Sequence, residues 1–244
     1  MKQSFDKVYS EISHIMADYP LEQILSVTDL TLLDVEATTE SIETLVENGE
    51  KNHVAALCVL PEHLTYLTQS DIKKATVVNF PEGNHDIKLV LSTIHEIIDN
   101  NLADEIDYVF PYQVYLNGDS KTALKHCKTA YELCAAQGIC FKVIIETGAF
   151  PSIDSIYQLS GKLVDIGCDF LKTSTGKIKQ GATLEAAYAI LLAIQNKSCG
   201  IKLSGGIRTF KQATQYALLA EHLLNKKIDN TWFRLGTSKI ISLS

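Results

Sequence analysis

Short apolar runs and amphipathic stretches follow one another along nearly the whole chain. The first stretch, residues 4–18, carries Phe5, Val8, Ile12 and Ile15 on one stripe, which predicts an amphipathic helix. Strand-like apolar runs then recur at 26–33, 54–60, 74–80, 105–110, 140–146, 169–173, 200–204 and 232–236. Helix-like segments separate them at 39–51, 61–69, 85–101, 120–137, 152–167, 183–197 and 209–225. Ile87, Leu91, Ile94 and Ile98 show the helical spacing, as do Leu124, Cys127, Tyr131 and Cys134. Strict strand–helix alternation predicts a parallel sheet. Eight such strands in 244 residues favour an α/β fold of the (β/α)8 TIM-barrel kind, with an extra N-terminal helix, over an open doubly wound sheet. No linker composition or low-complexity tract interrupts the pattern, so one domain is expected over 1–244.

Composition narrows the function classes. A hydrophobic fraction of 46% supports a large core. A net charge of -7 with a pI near 5.5 argues against nucleic-acid binding, whose footprint is basic. Cys58, Cys127, Cys134, Cys140, Cys168 and Cys199 form no CxxC and no zinc-type spacing, which predicts free thiols in a reducing, cytoplasmic setting. Cys127 and Cys134 read as core residues of their helix rather than ligands. The first residues lack the apolar segment of a signal peptide, and no run approaches a transmembrane length.

Function in such a barrel gathers at the C-terminal ends of the strands. Here those ends are polar: Asp29 and Thr31, Cys58, Asn79, Asp107, Lys142 and Glu146, Lys172, and Lys202. Phe170-Leu171-Lys172-Thr173-Ser174 puts Lys172 on one strand face with Phe170 and Ser174. Ile201-Lys202-Leu203-Ser204 repeats the design after one strand–helix–strand unit of about 30 residues. Two lysines projecting inward from neighbouring strands disfavour each other's charge, so one amine becomes a nucleophile near neutral pH. Lys172 and Lys202 with Asp107 as proton carrier make a Schiff-base aldolase site. The competing reading is an ion network that only stabilises the barrel.

Gly205-Gly206 and Gly236-Thr237-Ser238 end the last two strands, the usual phosphate site of this fold, where a following helix N-terminus would also favour an anion. Lys142 and Glu146 are expected to pair with one another, and Cys58 to be a small core residue. The seven histidines show no ligand spacing and receive no role.

Several ordered motifs carry a family resemblance. They are Asp29-Leu30-Thr31; Asn79-Phe80-Pro81 with Gly83-Asn84; Asp107 to Tyr112; Lys142 to Gly148; Lys172 to Lys177; and Lys202 before Gly205-Gly206 with Arg208-Thr209. From about Ser26 to Ser238 the chain resembles the deoxyribose-phosphate aldolases. The resemblance implies reversible cleavage of 2-deoxy-D-ribose 5-phosphate to glyceraldehyde 3-phosphate and acetaldehyde, with no metal and no organic cofactor. It implies Lys172 as the Schiff-base lysine, Lys202 as the group that lowers its pKa, and Asp107 as the proton relay through water. Asp29, Thr31 and Thr175 would hold substrate, and Gly176, Lys177, Gly205, Gly206, Gly236 and Ser238 the phosphate. Expected partners are a small sugar phosphate and aldehydes, no nucleic acid, no membrane, and a homodimer. Leu203-Ser204 and Lys239 depart from the family's usual residues at their loops, and Lys239 is expected to point outward. The alternatives are another Schiff-base aldolase with a different sugar phosphate and a sugar-phosphate-binding barrel without catalysis.

Overall fold

The structure is a computed structural model that describes residues 1–15 and 19–241. Eight strands close into a barrel: β1 Thr28–Leu32, β2 Ala56–Val59, β3 Lys73–Val78, β4 Glu105–Val109, β5 Cys140–Ile144, β6 Phe170–Lys172, β7 Gly200–Ser204 and β8 Phe233–Thr237. Each pairs in parallel with its sequence neighbours, and β8 returns to β1. The helices are α1 Lys2–Ile12, α2 Leu21–Leu25, α3 Thr39–Lys51, α4 Ile87–Asp99, α5 Tyr112–Leu116, α6 Ser120–Ala135, α7 Ile153–Ile166, α8 Leu184–Ile194 and α9 Phe210–Leu224.

The crossover helices start where the sequence supplies a cap. Thr38, Asp86, Asp119 and Thr183 each accept a backbone N–H in the first turn of α3, α4, α6 and α8. Ser152 and Thr209 form reciprocal capping boxes on α7 and α9. Each such cap contributes about 1 kcal/mol and fixes where a βα loop ends. Residues alternate between two buried faces along every strand. On β8, Phe233 and Leu235 join the apolar layer under the helices, while Arg234 turns into the barrel. Inside, β2 and β3 contribute a small apolar wall of Ala56, Cys58, Ala75 and Val77. The other strands line the interior with charge.

Three sequence expectations are corrected. The segment 61–69 is a 3-10 helix over Pro61–Leu67, not an α-helix. It starts at a proline, has no side-chain cap, and buries only His63, Leu64 and Leu67 in a short connection. The first helix ends at Ile12 with Ser13 as its C-cap, and residues 16–18 of the expected span lie outside the described residues. Its Phe5 meets Tyr188 of α8 edge-on at 5.5 Å. The short helices α2 and α5 lie in stretches to which the sequence pattern assigns no element. Among the described residues no helix is long and apolar enough to cross a membrane.

Candidate active site

The strand register carries the site. Lys172 on β6 pairs with Lys202 on β7, which pairs with Arg234 on β8. Asp107 on β4 pairs with Lys142 on β5. All of these side chains, with Asp29 and Glu105, are buried inside the barrel. They form one connected ion network. Asp107 Oδ2 accepts from Lys172 at 2.6 Å and from Lys202 at 2.8 Å, and its Oδ1 from Lys142 at 2.9 Å. Lys202 also meets Asp29 at 2.5 Å. Lys142 also meets Glu105 at 2.5 Å and Asp29 at 3.7 Å. Arg234 closes the network, donating to Asp29 at 2.6 Å and Glu105 at 2.9 Å.

The three lysines therefore differ in company. Lys142 has three carboxylates within 4 Å, Lys202 two, and Lys172 only Asp107. Their proton affinities follow. Burial pulls each ammonium down. For Lys142 the Asp107, Glu105 and Asp29 charges override it and hold the pKa well above the ordinary value. For Lys202, Asp107 and Asp29 do the same. For Lys172, burial wins against Asp107, Lys202 pushes the same way, and the amine is held below the ordinary lysine value. Burial is thus the larger cause for Lys172 and the neighbouring lysine the smaller. Asp107 is held well below the usual carboxylate range, despite burial, by Lys142, Lys172 and Lys202.

Lys172 forms part of the floor of a cavity of about 400 Å³ at the C-terminal end of the barrel. Thr31, Thr175, Gly176, Lys177, Gly205, Gly206, Gly236 and Ser238 line the same cavity. A larger cavity of about 1060 Å³ opens at the opposite end, where Glu105 and Arg234 lie. Lys172 lines the smaller one, which puts the candidate site there. Gly205 and Gly206 both take φ 88°, a left-handed backbone that side chains resist. Among the described residues the N–H groups of Gly205, Gly206, Ile207 and Ser238 donate to no protein acceptor, and all four residues line the cavity. Just before α9, Gln212 accepts the N–H groups of Arg208 and Thr209, and the helix itself begins at Phe210, outside the cavity lining.

Glu146 sits just past β5 in a left-handed conformation, φ 59°, a sparsely populated state for a non-glycine residue. It does not pair with Lys142. Its Oε2 accepts the Thr175 N–H at 3.3 Å and the Thr175 hydroxyl. Burial pushes its pKa up. The expected Lys142–Glu146 pair fails on distance, because four residues of strand span about 13 Å. Asp29 is a member of the network and does not line the cavity, whereas Thr31 lines it and donates its hydroxyl to the Asp29 carbonyl at 2.9 Å. The Lys177 ammonium donates to the Leu33 carbonyl at 2.9 Å and lies 5.8 Å from the Phe80 ring centre. It therefore edges the cavity while its charge is engaged elsewhere. Cys58 is buried in the interior wall, and burial pushes its thiol up, so it stays protonated. Lys239 is exposed.

Residues 20–222 match the sequence profile of the DeoC/LacD family aldolases. The chain belongs to that family. Solved structures share the fold of this DeoC/LacD aldolase at low identity. The deoxyribose phosphate aldolase of Aeropyrum pernix, described as tetrameric, has 21% identity and a TM-score of 0.76, with 98% of this chain and 94% of that chain covered. The aldolase QR15 has 24% identity and a TM-score of 0.77, with 91% and 92% covered. A Coccidioides immitis protein provisionally assigned as a deoxyribose-phosphate aldolase has 23% identity and a TM-score of 0.78, with 98% and 94% covered.

Three residues of the candidate site escaped the sequence reading. Glu105 and Arg234 complete the network, and Arg208 belongs to the cavity lining. A signal for Arg234 was present: Phe233 and Leu235 flank it in strict alternation, which assigns it the opposite face.

Proposed function

We propose that the protein is a class I aldolase that cleaves 2-deoxy-D-ribose 5-phosphate to glyceraldehyde 3-phosphate and acetaldehyde through an imine on Lys172. The observation that carries this reading is the Lys172 amine itself. It is the network lysine held below its ordinary proton affinity, and it meets the cavity that unpaired backbone donors line. The neutral amine attacks the C1 aldehyde, and loss of water leaves a protonated imine. A base takes the proton of the C3 hydroxyl. The C2–C3 electron pair then moves into the imine, giving an enamine and releasing glyceraldehyde 3-phosphate. Protonation at C2 and hydrolysis release acetaldehyde and restore the amine. Asp107, bonded to Lys172, is the carboxylate that moves these protons, directly or through water. Thr31 and Thr175 would contact the sugar hydroxyls. Gly176, Gly205, Gly206, Gly236 and Ser238 would present backbone to the phosphate, with Arg208 adding charge. Six free thiols suit a reducing, cytoplasmic compartment.

The test is a coupled assay for glyceraldehyde 3-phosphate with deoxyribose 5-phosphate, run beside a panel of other sugar phosphates. Turnover of another sugar phosphate with none of deoxyribose 5-phosphate would move the protein to a different aldolase. No turnover of any of them, with phosphorylated sugars still bound, would make it a binding barrel.

A further inference from the structure

The interior network holds four bases and three acids. The bases are Lys142, Lys172, Lys202 and Arg234; the acids are Asp29, Glu105 and Asp107. Burying an unbalanced charge is costly, whereas a balanced, hydrogen-bonded set is tolerated. Arg234 is always charged. The network is neutral when two of the three lysines are protonated and one is not. The lysine with the fewest carboxylates gives up its proton, and that is Lys172. The count therefore selects the nucleophile, and of its seven members only Lys172 lines the cavity. Glu105 and Arg234 lie at the N-terminal end of the barrel, bonded to each other at 2.9 Å, and border the cavity on that side.

We infer that Glu105 and Arg234 are positioning residues for the reaction: they fix the ratio of acids to bases inside the barrel and thereby keep the Lys172 amine unprotonated. The inference rests on the Schiff-base reading of Lys172. Every charged neighbour of the pair is consistent with it. Glu105 faces Lys142 from β5, Arg234 from β8 and Lys73 from β3 at 3.8 Å. Lys73 is 63% exposed, so solvent screens it and it does not enter the count. Asp169 and Cys140 stand close enough to sense Glu105, and burial pushes both toward their neutral forms. At the other end Lys172 faces Asp107, Lys202, Cys58 and Glu146. Cys58 and Glu146 are likewise pushed by burial toward neutrality.

The count predicts opposite signs for its two remote members. Arg234→Met removes a base and leaves three acids for three lysines, so Lys172 keeps its proton. Glu105→Gln removes an acid and leaves a second amine in surplus, so Lys172 loses its proton more readily. The double variant restores a surplus of one.

The experiment measures kcat/KM against pH for the parent, both single variants and the double, with circular dichroism to confirm folding. Borohydride trapping with substrate, mapped by mass spectrometry, runs beside it. The acid limb of the profile moves to higher pH in Arg234→Met, with at least a tenfold loss at neutral pH. It moves to lower pH in Glu105→Gln and returns toward the parent position in the double. Arg234→Lys and Glu105→Asp keep the count and keep the limb. Should Arg234→Met not fold, Lys142→Met removes a base from the same count and moves the limb the same way. Limbs that stay in place in the folded variants, or that move together in both single variants, overturn the inference and leave a purely structural role. A parent protein without a trapped adduct on Lys172 overturns the Schiff-base reading instead.

Discussion

Lys172 and Lys202 end on the same atom. Both lie within hydrogen-bonding distance of Asp107 Oδ2, at 2.6 Å and 2.8 Å, from adjacent strands in register. One oxygen cannot satisfy two full charges as well as one, and Lys202 holds a second carboxylate where Lys172 does not. The pair is thus asymmetric, and Lys172 is the member that opens to the cavity.

The first prediction follows from that asymmetry. Incubation with acetaldehyde and borohydride, then digestion and mass spectrometry, is expected to leave the adduct on Lys172. An adduct chiefly on Lys202 or Lys142 refutes the assignment of the nucleophile.

Replacing Lys202 by Leu removes a cation that pushes the Lys172 amine down. Asp107 then serves Lys172 with less competition, and the amine keeps its proton to higher pH. The acid limb of the pH–rate profile is expected to move up, with activity near neutrality falling by tenfold or more, since each unit of pKa is a factor of ten. An unchanged profile removes Lys202 from the mechanism.

Acid stability follows from the carboxylates. The Lys202, Arg234 and Lys142 charges overcome burial to hold Asp29 below its ordinary value, and Lys142, Lys172 and Lys202 do the same for Asp107. A depressed carboxyl contributes stability above its unfolded value, near 3.9, that is lost as pH falls toward the folded value. Thermal midpoints are expected to hold down to about pH 4 and then drop steeply. A flat stability curve through pH 3 contradicts the network's energetic weight.

Lys172 is a buried base in surplus, and such groups are retained at a cost in stability. Lys172→Met, apolar and of similar length, is expected to abolish turnover while stabilising the fold by roughly 1 kcal/mol. For a chain of this size that is an upward shift of about 2–4 °C in Tm. A lowered Tm shows that Lys172 is needed for structure.

The phosphate prediction separates two cations. Arg208 lines the cavity and Lys239 does not. Arg208→Gln is expected to raise KM for deoxyribose 5-phosphate several-fold, because a charge-assisted contact is lost, and to leave plain deoxyribose unaffected. Lys239→Ser is expected to change neither. A phosphate-specific KM effect from Lys239 alone reverses the assignment.

The barrel was legible because strand and helix periods alternate along the chain. Lys172, Lys202 and Asp107 were legible because a charge at a buried strand position is conspicuous. Glu105 was not, since it follows Asp104 at the start of β4 and reads as the polar edge of a strand. Its burial is decided by closure: β8 returns to β1, and Arg234 reaches across the interior to Asp29 and Glu105. The partner of Glu146 was missed for a similar reason. Thr175 lies on the next loop, and only the left-handed turn at Glu146 aims the carboxylate there. The short helices α2 and α5 span five residues each, too few for a helical period to show.

The interior charges are also sorted by sequence. Every acid of the network comes from β1 or β4, and every base from β5, β6, β7 or β8. The first half-barrel is therefore an anionic trough and the second a cationic one, each the counterion of the other. Chains cut between β4 and β5 are expected to be recovered soluble when the two pieces are co-expressed, and to aggregate when either is made alone. Assembly of this enzyme is in that sense a neutralisation: neither half can dry its own interior until the other arrives.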